Sequence, residues 1–294
     1  IIIIMKIIIG SEGKGIWGQL IIDFFLKKLG YTDIVYNNTD NCNIILSSHF
    51  NKIEPNWNNQ KKKYIYWSGE SYIPRKNNNQ KDGLYILTTY SMMNNLLYLP
   101  YCLYSPYLYL DRKYPNKDRK YSIAYCSSNK IPIREDIFNV FVWRMGIDQC
   151  HSLGTNYGSY PQTNRKVEGN WENIELIERY KDYKFVLAME NANIDGYVTE
   201  KIINAFYSGA IPIYWGSKKV LEFFNPKAFI YVNNFPTLSH CVHYVDSLKQ
   251  EDIDKMLSEP IYNPDNEIIN LLNNDYEKNK TLENYLTTIK QFIN

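Results

Sequence analysis

Residues Phe185–Gly216, FVLAMENANIDGYVTEKIINAFYSGAIPIYWG, constrain the architecture more than any other stretch of the chain. Phe185–Met189 is an apolar run of strand length that ends abruptly at Glu190-Asn191, and the polar, glycine-bearing loop Ala192–Gly196 follows. Thr199 stands where it can cap a helix, and the apolar positions Ile202, Ile203, Ala205 and Phe206 recur at helical spacing. Gly209 suits the position just past the helix end, and Ile211–Trp215 is the next buried strand. Glu200 and Lys201 then fall in the first helical turn, just past the carboxyl end of a strand. In an open α/β sheet that is where ligands bind, and the free amides of a helix start favour anions. A cation gains nothing from the helix dipole at this end, so a lysine there points to an anionic ligand, with a solvated surface lysine as the plain alternative.

The rest of the chain repeats the same alternation. Met5–Ile9 is a strand, Gly10–Gly15 a glycine-rich turn and Gln19–Leu29 an amphipathic helix. Asp33–Tyr36, Asn43–Ser47, Lys63–Trp67, Leu84–Thr88 and Tyr98–Tyr101 are further short strands, with polar loops such as Arg75–Asp82 between them. Strands alternating with helices call for a mostly parallel sheet covered on both faces. Asp111–Lys120 is charged, contains proline and has no apolar periodicity, which marks it as a domain boundary. A second α/β unit opens at Tyr121–Cys126 and runs through helices Arg134–Met145 and Asn173–Tyr180 into the stretch above. Val220–Phe224, Leu238–Leu248 and Glu251–Leu257 complete it as helices, with Phe229–Val232 as a strand. The expectation is two Rossmann-like domains facing each other across a cleft. The first spans 1–117 and the second 118–265, with a helical tail over 266–294 packing back on the first.

Composition removes several function classes. The chain has 294 residues, 22% charged, with a net charge of only +2, which argues against a nucleic-acid backbone as main partner. Its five cysteines are scattered without a Cys-x-x-Cys pair, which suits a reducing compartment rather than a disulfide framework. The apolar run Ile1–Ile9 is too short to span a bilayer and lacks a signal-peptide cleavage region, so the expected location is cytoplasmic, without a membrane anchor. No metal site is expected: His240-Cys241-x-His243 has no second ligand cluster, and Asp252-Ile253-Asp254 lies within an amphipathic helix.

Three further positions carry chemistry. Gly13-Lys14-Gly15-Ile16-Trp17-Gly18 fits the dinucleotide fingerprint G-x-G-x-x-G, follows a strand and precedes a helix, although Asp33 and Asp40 both miss the place of its acidic partner. On that loop an NAD-type oxidoreductase is one alternative function. Glu70, in Tyr66-Trp67-Ser68-Gly69-Glu70, stands just past a strand end beside aromatic residues, where partial desolvation raises a carboxyl toward the range of a general base. Arg134 opens the helix after the first strand of the second domain. With Lys201 it forms a cationic pair able to hold a diphosphate and neutralise a leaving group in place of a metal.

These residues resemble the donor-binding signature of the α1,3/4-fucosyltransferases, glycosyltransferase family 10, and the soluble bacterial members above all. Glu190-Asn191, Tyr197-Val198-Thr199-Glu200-Lys201, Gly209-Ala210-Ile211-Pro212 and Trp215-Gly216-Ser217 fall in its order and spacing, and Phe223–Phe229 continues it. Trp67-Ser68-Gly69-Glu70 and Asn129–Arg134 resemble two upstream segments of the family. The resemblance implies the GT-B fold and GDP-L-fucose as donor. It implies an inverting transfer to a hydroxyl of an oligosaccharide or glycoconjugate acceptor, α1,3 to a GlcNAc- or Glc-type sugar, with no metal or other cofactor. By resemblance Glu70 is the base, Arg134 and Lys201 hold the diphosphate, and Glu200, Asn191 and Tyr197 surround the donor's sugar, ribose and base. Glu190 belongs to the same donor motif. A catalytically silent GDP-sugar or glycan-binding protein is the other alternative, since the first domain departs from the family pattern.

Overall fold

The protein is described here by a computed structural model covering residues 5–11, 16–37, 42–48, 61–71, 83–91, 95–155, 174–273 and 278–294. Ile1–Ile4, most of the Gly10–Gly15 turn and all of the Arg75–Asp82 loop lie outside the described residues. The chain divides into two compact units, Ile1–Pro100 with Glu267–Asn294, and Tyr101–Asn266.

The first unit is built on β1 (Met5–Ser11), helix α1 (Ile16–Lys28), β2 (Tyr31–Asn37), β3 (Ile44–Ser48), β4 (Lys63–Ser68), β5 (Leu84–Leu87) and β6 (Leu96–Tyr98). They form one parallel sheet in the order β2-β1-β3-β4-β5-β6. Every residue of β3 and of β5 is buried, as strands covered on both faces must be. The last of these strands lies earlier than expected, because Tyr101–Tyr104 turns into a 3-10 helix.

The second unit runs β7 (Tyr121–Tyr125), α2 (Pro132–Met145), β8 (Cys150–Ser152), α3 (Ile174–Tyr180), β9 (Tyr183–Met189), α4 (Glu200–Tyr207), β10 (Ile211–Trp215), α5 (Val220–Phe223), β11 (Ile230–Tyr231), α6 (Leu238–Ser247) and α7 (Gln250–Ser258). Its strands are parallel in the order β11-β10-β9-β7-β8. The core on one face joins Ile123, Phe141, Phe185, Leu187, Ile213 and Val242. Strand β8 escaped sequence reading because Cys-His-Ser carries no strand pattern; it exists by pairing along β7, Ile123 opposite Cys150.

The charged stretch before β7 is part of the second unit. Arg119, buried, donates to the carbonyls of Tyr180 at 3.0 Å, Tyr183 at 2.9 Å, Ser208 at 2.8 Å and Pro115 at 3.0 Å. Asn116 donates to Lys184 O at 2.9 Å and Gly209 O at 3.0 Å. Its polarity serves buried carbonyls at the ends of α3 and α4 rather than water. After the second unit the chain makes turns over 267–272 before α8 (Lys280–Ile293), so among the described residues of the tail only 280–293 are helical. Asn279 caps α8 by accepting from Leu282 N–H at 2.9 Å. Tyr285 accepts from Tyr98 N–H at 3.0 Å and donates to Tyr98 O at 2.8 Å, which fastens α8 to β6. Among the described residues no helix is long and apolar enough to cross a membrane.

Candidate active site

In the second unit the chain leaves β7 toward β8 and returns on its other side as β9, so the loops after β7 and β9 diverge. Such a divergence leaves a crevice at the strands' carboxyl ends, where doubly wound sheets bind ligands. Cys126, Ser127 and Asn129 follow β7 there, Glu190 and Asn191 follow β9, and α2 and α4 begin beside them.

Arg134 enters from the first turn of α2, whose opening residue, Pro132, presets the helical φ and gives up an amide that no helix bond would use. The side chain is only 2% exposed, yet its acceptors are neutral. It donates to Asn191 Oδ1 at 2.7 Å, Met189 O at 3.4 Å, Asn129 O at 2.5 Å and the Ser127 hydroxyl. Its buried Nε has no partner among the described residues. The guanidinium is thus fixed in direction, and among the described residues no carboxylate contacts it to cancel its charge.

Lys201 sits in the opposite electrostatic situation. Its ammonium donates to Thr199 Oγ1 at 2.9 Å and to Glu190 Oε2 at 3.3 Å, and lies 3.6 Å from Glu200 Oε1. Burial disfavours its charge, but the Glu200 and Glu190 carboxylates outweigh that and hold its pKa above the usual lysine range. Glu190 has no exposed surface, and burial pushes its pKa up against the pull of Lys201. Its Oε1 accepts from Thr199 N–H at 2.7 Å and from Tyr214 O–H at 3.4 Å, while Oε2 accepts from the Thr199 hydroxyl at 2.7 Å. This corrects one sequence expectation. Thr199 does occupy the cap position of α4, but its hydroxyl makes no capping bond. A capping hydroxyl would accept from a helix amide; here the Thr199 hydroxyl donates to Glu190, and its oxygen accepts from the Lys201 ammonium instead, a charged donor stronger than an amide.

Both cations act on the Cys126 thiol. Burial raises that thiol to about 11, while Lys201 and Arg134 both act to lower it, and Arg134 also acts on Lys201 directly. Through the Arg134–Asn191 bond, the Lys201–Glu190 bond and the approach of Lys201 to Glu200, these five residues form one cluster. Tyr197 is 3% exposed, and its carbonyl accepts from Tyr214 O–H at 3.5 Å. Gly216 is required by crowding: a Cβ there would come within 2.6 Å of the Tyr214 hydroxyl oxygen and 2.7 Å of Glu190 Cγ. Sequence reasoning missed Ser127, Thr199 as a carboxylate partner, and Tyr214. The hydroxyl of Ser127 had no visible role because its partner lies seven positions on, across a loop and a helix start.

Residues 116–256 match the family model described as glycosyltransferase family 10 (fucosyltransferase) C-term. By this match the second unit carries the C-terminal domain of glycosyltransferase family 10. A protein of Acanthamoeba polyphaga mimivirus named as a fucosyltransferase is 33% identical over 145 residues, which cover 48% of this chain and 24% of that protein. An alpha-(1,3)-fucosyltransferase of Helicobacter pylori is 42% identical over 87 residues, 29% of this chain and 18% of that enzyme. The chain thus spans a quarter or less of the length of these relatives. The crystal structure of an alpha1,3-fucosyltransferase with GDP has a TM-score of 0.70 at 22% identity, covering 99% of this chain and 91% of that one. At that identity the likeness establishes the fold, which is GT-B.

The family 10 segment contains every clustered residue above, and Glu70 falls outside it, in the first unit. Glu70 is half-buried at the carboxyl end of β4; its N–H donates to Ser68 Oγ at 3.3 Å and its carbonyl accepts from the Thr88 hydroxyl at 3.2 Å. Gly13 and Gly15 of the dinucleotide-like fingerprint lie outside the described residues. Gly18 has a packing role: a Cβ on it would lie 3.4 Å from Trp67 Cβ, so α1 rests closely on β4. Cys241 is in the core, His240 Nδ1 is 2.7 Å from the Thr237 hydroxyl, and Asp252 accepts from Lys249 N–H at 3.0 Å at the start of α7. These groups serve the fold.

Proposed function

We propose that this protein transfers L-fucose from GDP-fucose to a hydroxyl of a glycan acceptor, α1,3 to a GlcNAc- or Glc-type sugar, with inversion at the anomeric carbon. The observation that carries the reading is that Arg134, bonded to Asn191, and Lys201, bonded to Glu190, reach adjacent residues at the end of β9, each from a helix start. Solved alpha1,3-fucosyltransferases with GDP and with GDP-fucose share the fold, which supports the choice of donor.

In this reading the acceptor hydroxyl loses its proton to Glu70 as its oxygen attacks the fucose anomeric carbon. The bond from that carbon to the diphosphate oxygen breaks, and its electron pair leaves with GDP. Negative charge grows on the diphosphate, where Arg134 and Lys201 neutralise it without a metal. A fixed charge aimed at developing charge is worth about 3 kcal/mol of barrier when one such contact is lost. Asn191, Glu200 and Tyr197 are assigned to the ribose, sugar and base of the donor, and Glu70 rests on its sequence motif.

Two measurements decide it. GDP should raise the unfolding temperature, and labelled fucose from GDP-fucose should appear on acceptors of a glycan array. A protein that GDP does not stabilise refutes the donor site; one that binds GDP-fucose but labels no acceptor is a binding protein rather than a transferase.

A further inference from the structure

We infer that Glu190 is a positioning residue for Lys201, one that touches no ligand itself and acts on an anionic ligand only through the lysine. The inference rests on the donor-site reading above.

Glu190 has no exposed surface, and among the described residues its carboxylate accepts from the amide and hydroxyl of Thr199, the Tyr214 hydroxyl and the Lys201 ammonium. One carboxylate at the end of β9 thereby ties down both the residue that starts α4 and the lysine two positions on. The Lys201 side chain keeps 25% of its surface exposed, enough to meet a ligand while its position is set from below. An unanchored lysine is a mobile charge on a four-carbon stem, and it must be ordered each time it meets a phosphate. Gly216 shows how closely the carboxylate is packed, since a Cβ there would come within 2.7 Å of Glu190 Cγ.

A counter-charge and a positioning group make opposite predictions. If Glu190 only dampened the positive charge of the site, neutralising it would strengthen the binding of a diphosphate. If it positions Lys201, neutralising it weakens that binding. Glu190→Gln keeps the size and the acceptor for Thr199 N–H, but turns an amide donor toward Thr199 Oγ1 and the ammonium, where two donors repel.

The test is a double-mutant cycle in GDP affinity by titration calorimetry. It uses wild type, Glu190→Gln, Lys201→Met and the double variant, each checked for its unfolding transition. Expected is a loss of about tenfold for Glu190→Gln in the wild-type background and less than about twofold beside Lys201→Met. Tighter binding, unchanged binding, or an equal loss in both backgrounds overturns the inference and leaves the donor site standing. A wild-type protein that does not bind GDP overturns the donor site and this inference with it. Should Glu190→Gln fail to fold, Glu190→Asp keeps the charge but withdraws it by one methylene. The same cycle then applies, with a smaller loss expected and confined to the Lys201 background.

Discussion

At the scale of single residues the site divides its labour between two cations with different surroundings. Among the described residues Arg134 is oriented by neutral acceptors, so its charge is available, whereas Lys201 is held between two carboxylates. Lys201→Ala should weaken GDP binding by about tenfold or more, read by calorimetry. Arg134→Lys should be no milder, because a lysine cannot reproduce a fork that reaches Asn191, Asn129 and Ser127 together. Glu70→Gln separates binding from chemistry: GDP affinity should stay, and transfer should fall by about 10² to 10⁴. Weaker GDP binding with intact transfer would contradict that role. The Cys126 thiol reports the local field. Only a thiolate alkylates, so with a pKa raised to about 11 its reaction with iodoacetamide should climb with pH across the whole neutral and alkaline range. Removing one cation with Lys201→Met should raise the pKa further and slow the reaction at any fixed pH. An unchanged rate, measured on the Cys126 peptide by mass spectrometry, would mean that the lysine does not face it.

At the scale of elements, Phe185–Gly216 was legible because everything that makes it a strand–loop–helix–strand is local: an apolar run, a cap position, helical spacing, and a glycine where the helix must turn. Gly209 adopts φ +75°, and a Cβ on it would collide with the carbonyl oxygen of Tyr114. Gly209→Ala should therefore cost about 3 kcal/mol in urea unfolding, from the strained backbone and the collision together. A loss under about 0.5 kcal/mol would mean that Tyr114 gives way. Asp111–Lys120 misled for the converse reason. Charge is the usual mark of a solvated linker, and nothing in the local sequence shows that Arg119 and Asn116 are spent on carbonyls of α3, β9 and α4. Strand β8 was invisible because a three-residue edge strand is made by its neighbour rather than by its own pattern.

For the whole molecule the two units depend on different closures. The first is completed by the last residues of the chain, where Tyr285 bonds Tyr98 both ways and packs edge-on to Phe25 at 6.3 Å, and Lys63 donates to Phe292 O at 2.9 Å. Truncation after Asn279 should strip hydrogen-exchange protection from α1 and β6; unchanged protection would show that α8 is not needed there. Apolar runs, helical spacing and turn glycines determined by themselves that this chain forms two parallel α/β units, and that Arg134 and Lys201 both open helices after strands, since those signals act over a few residues. Tertiary structure alone decided that the two cations reach neighbouring residues at the end of β9, that Thr199 serves Glu190 instead of capping its helix, and that Glu190 is buried beneath Lys201. Each of these depends on which strand ends lie side by side, and the order of strands in a sheet is a long-range outcome that no local pattern encodes.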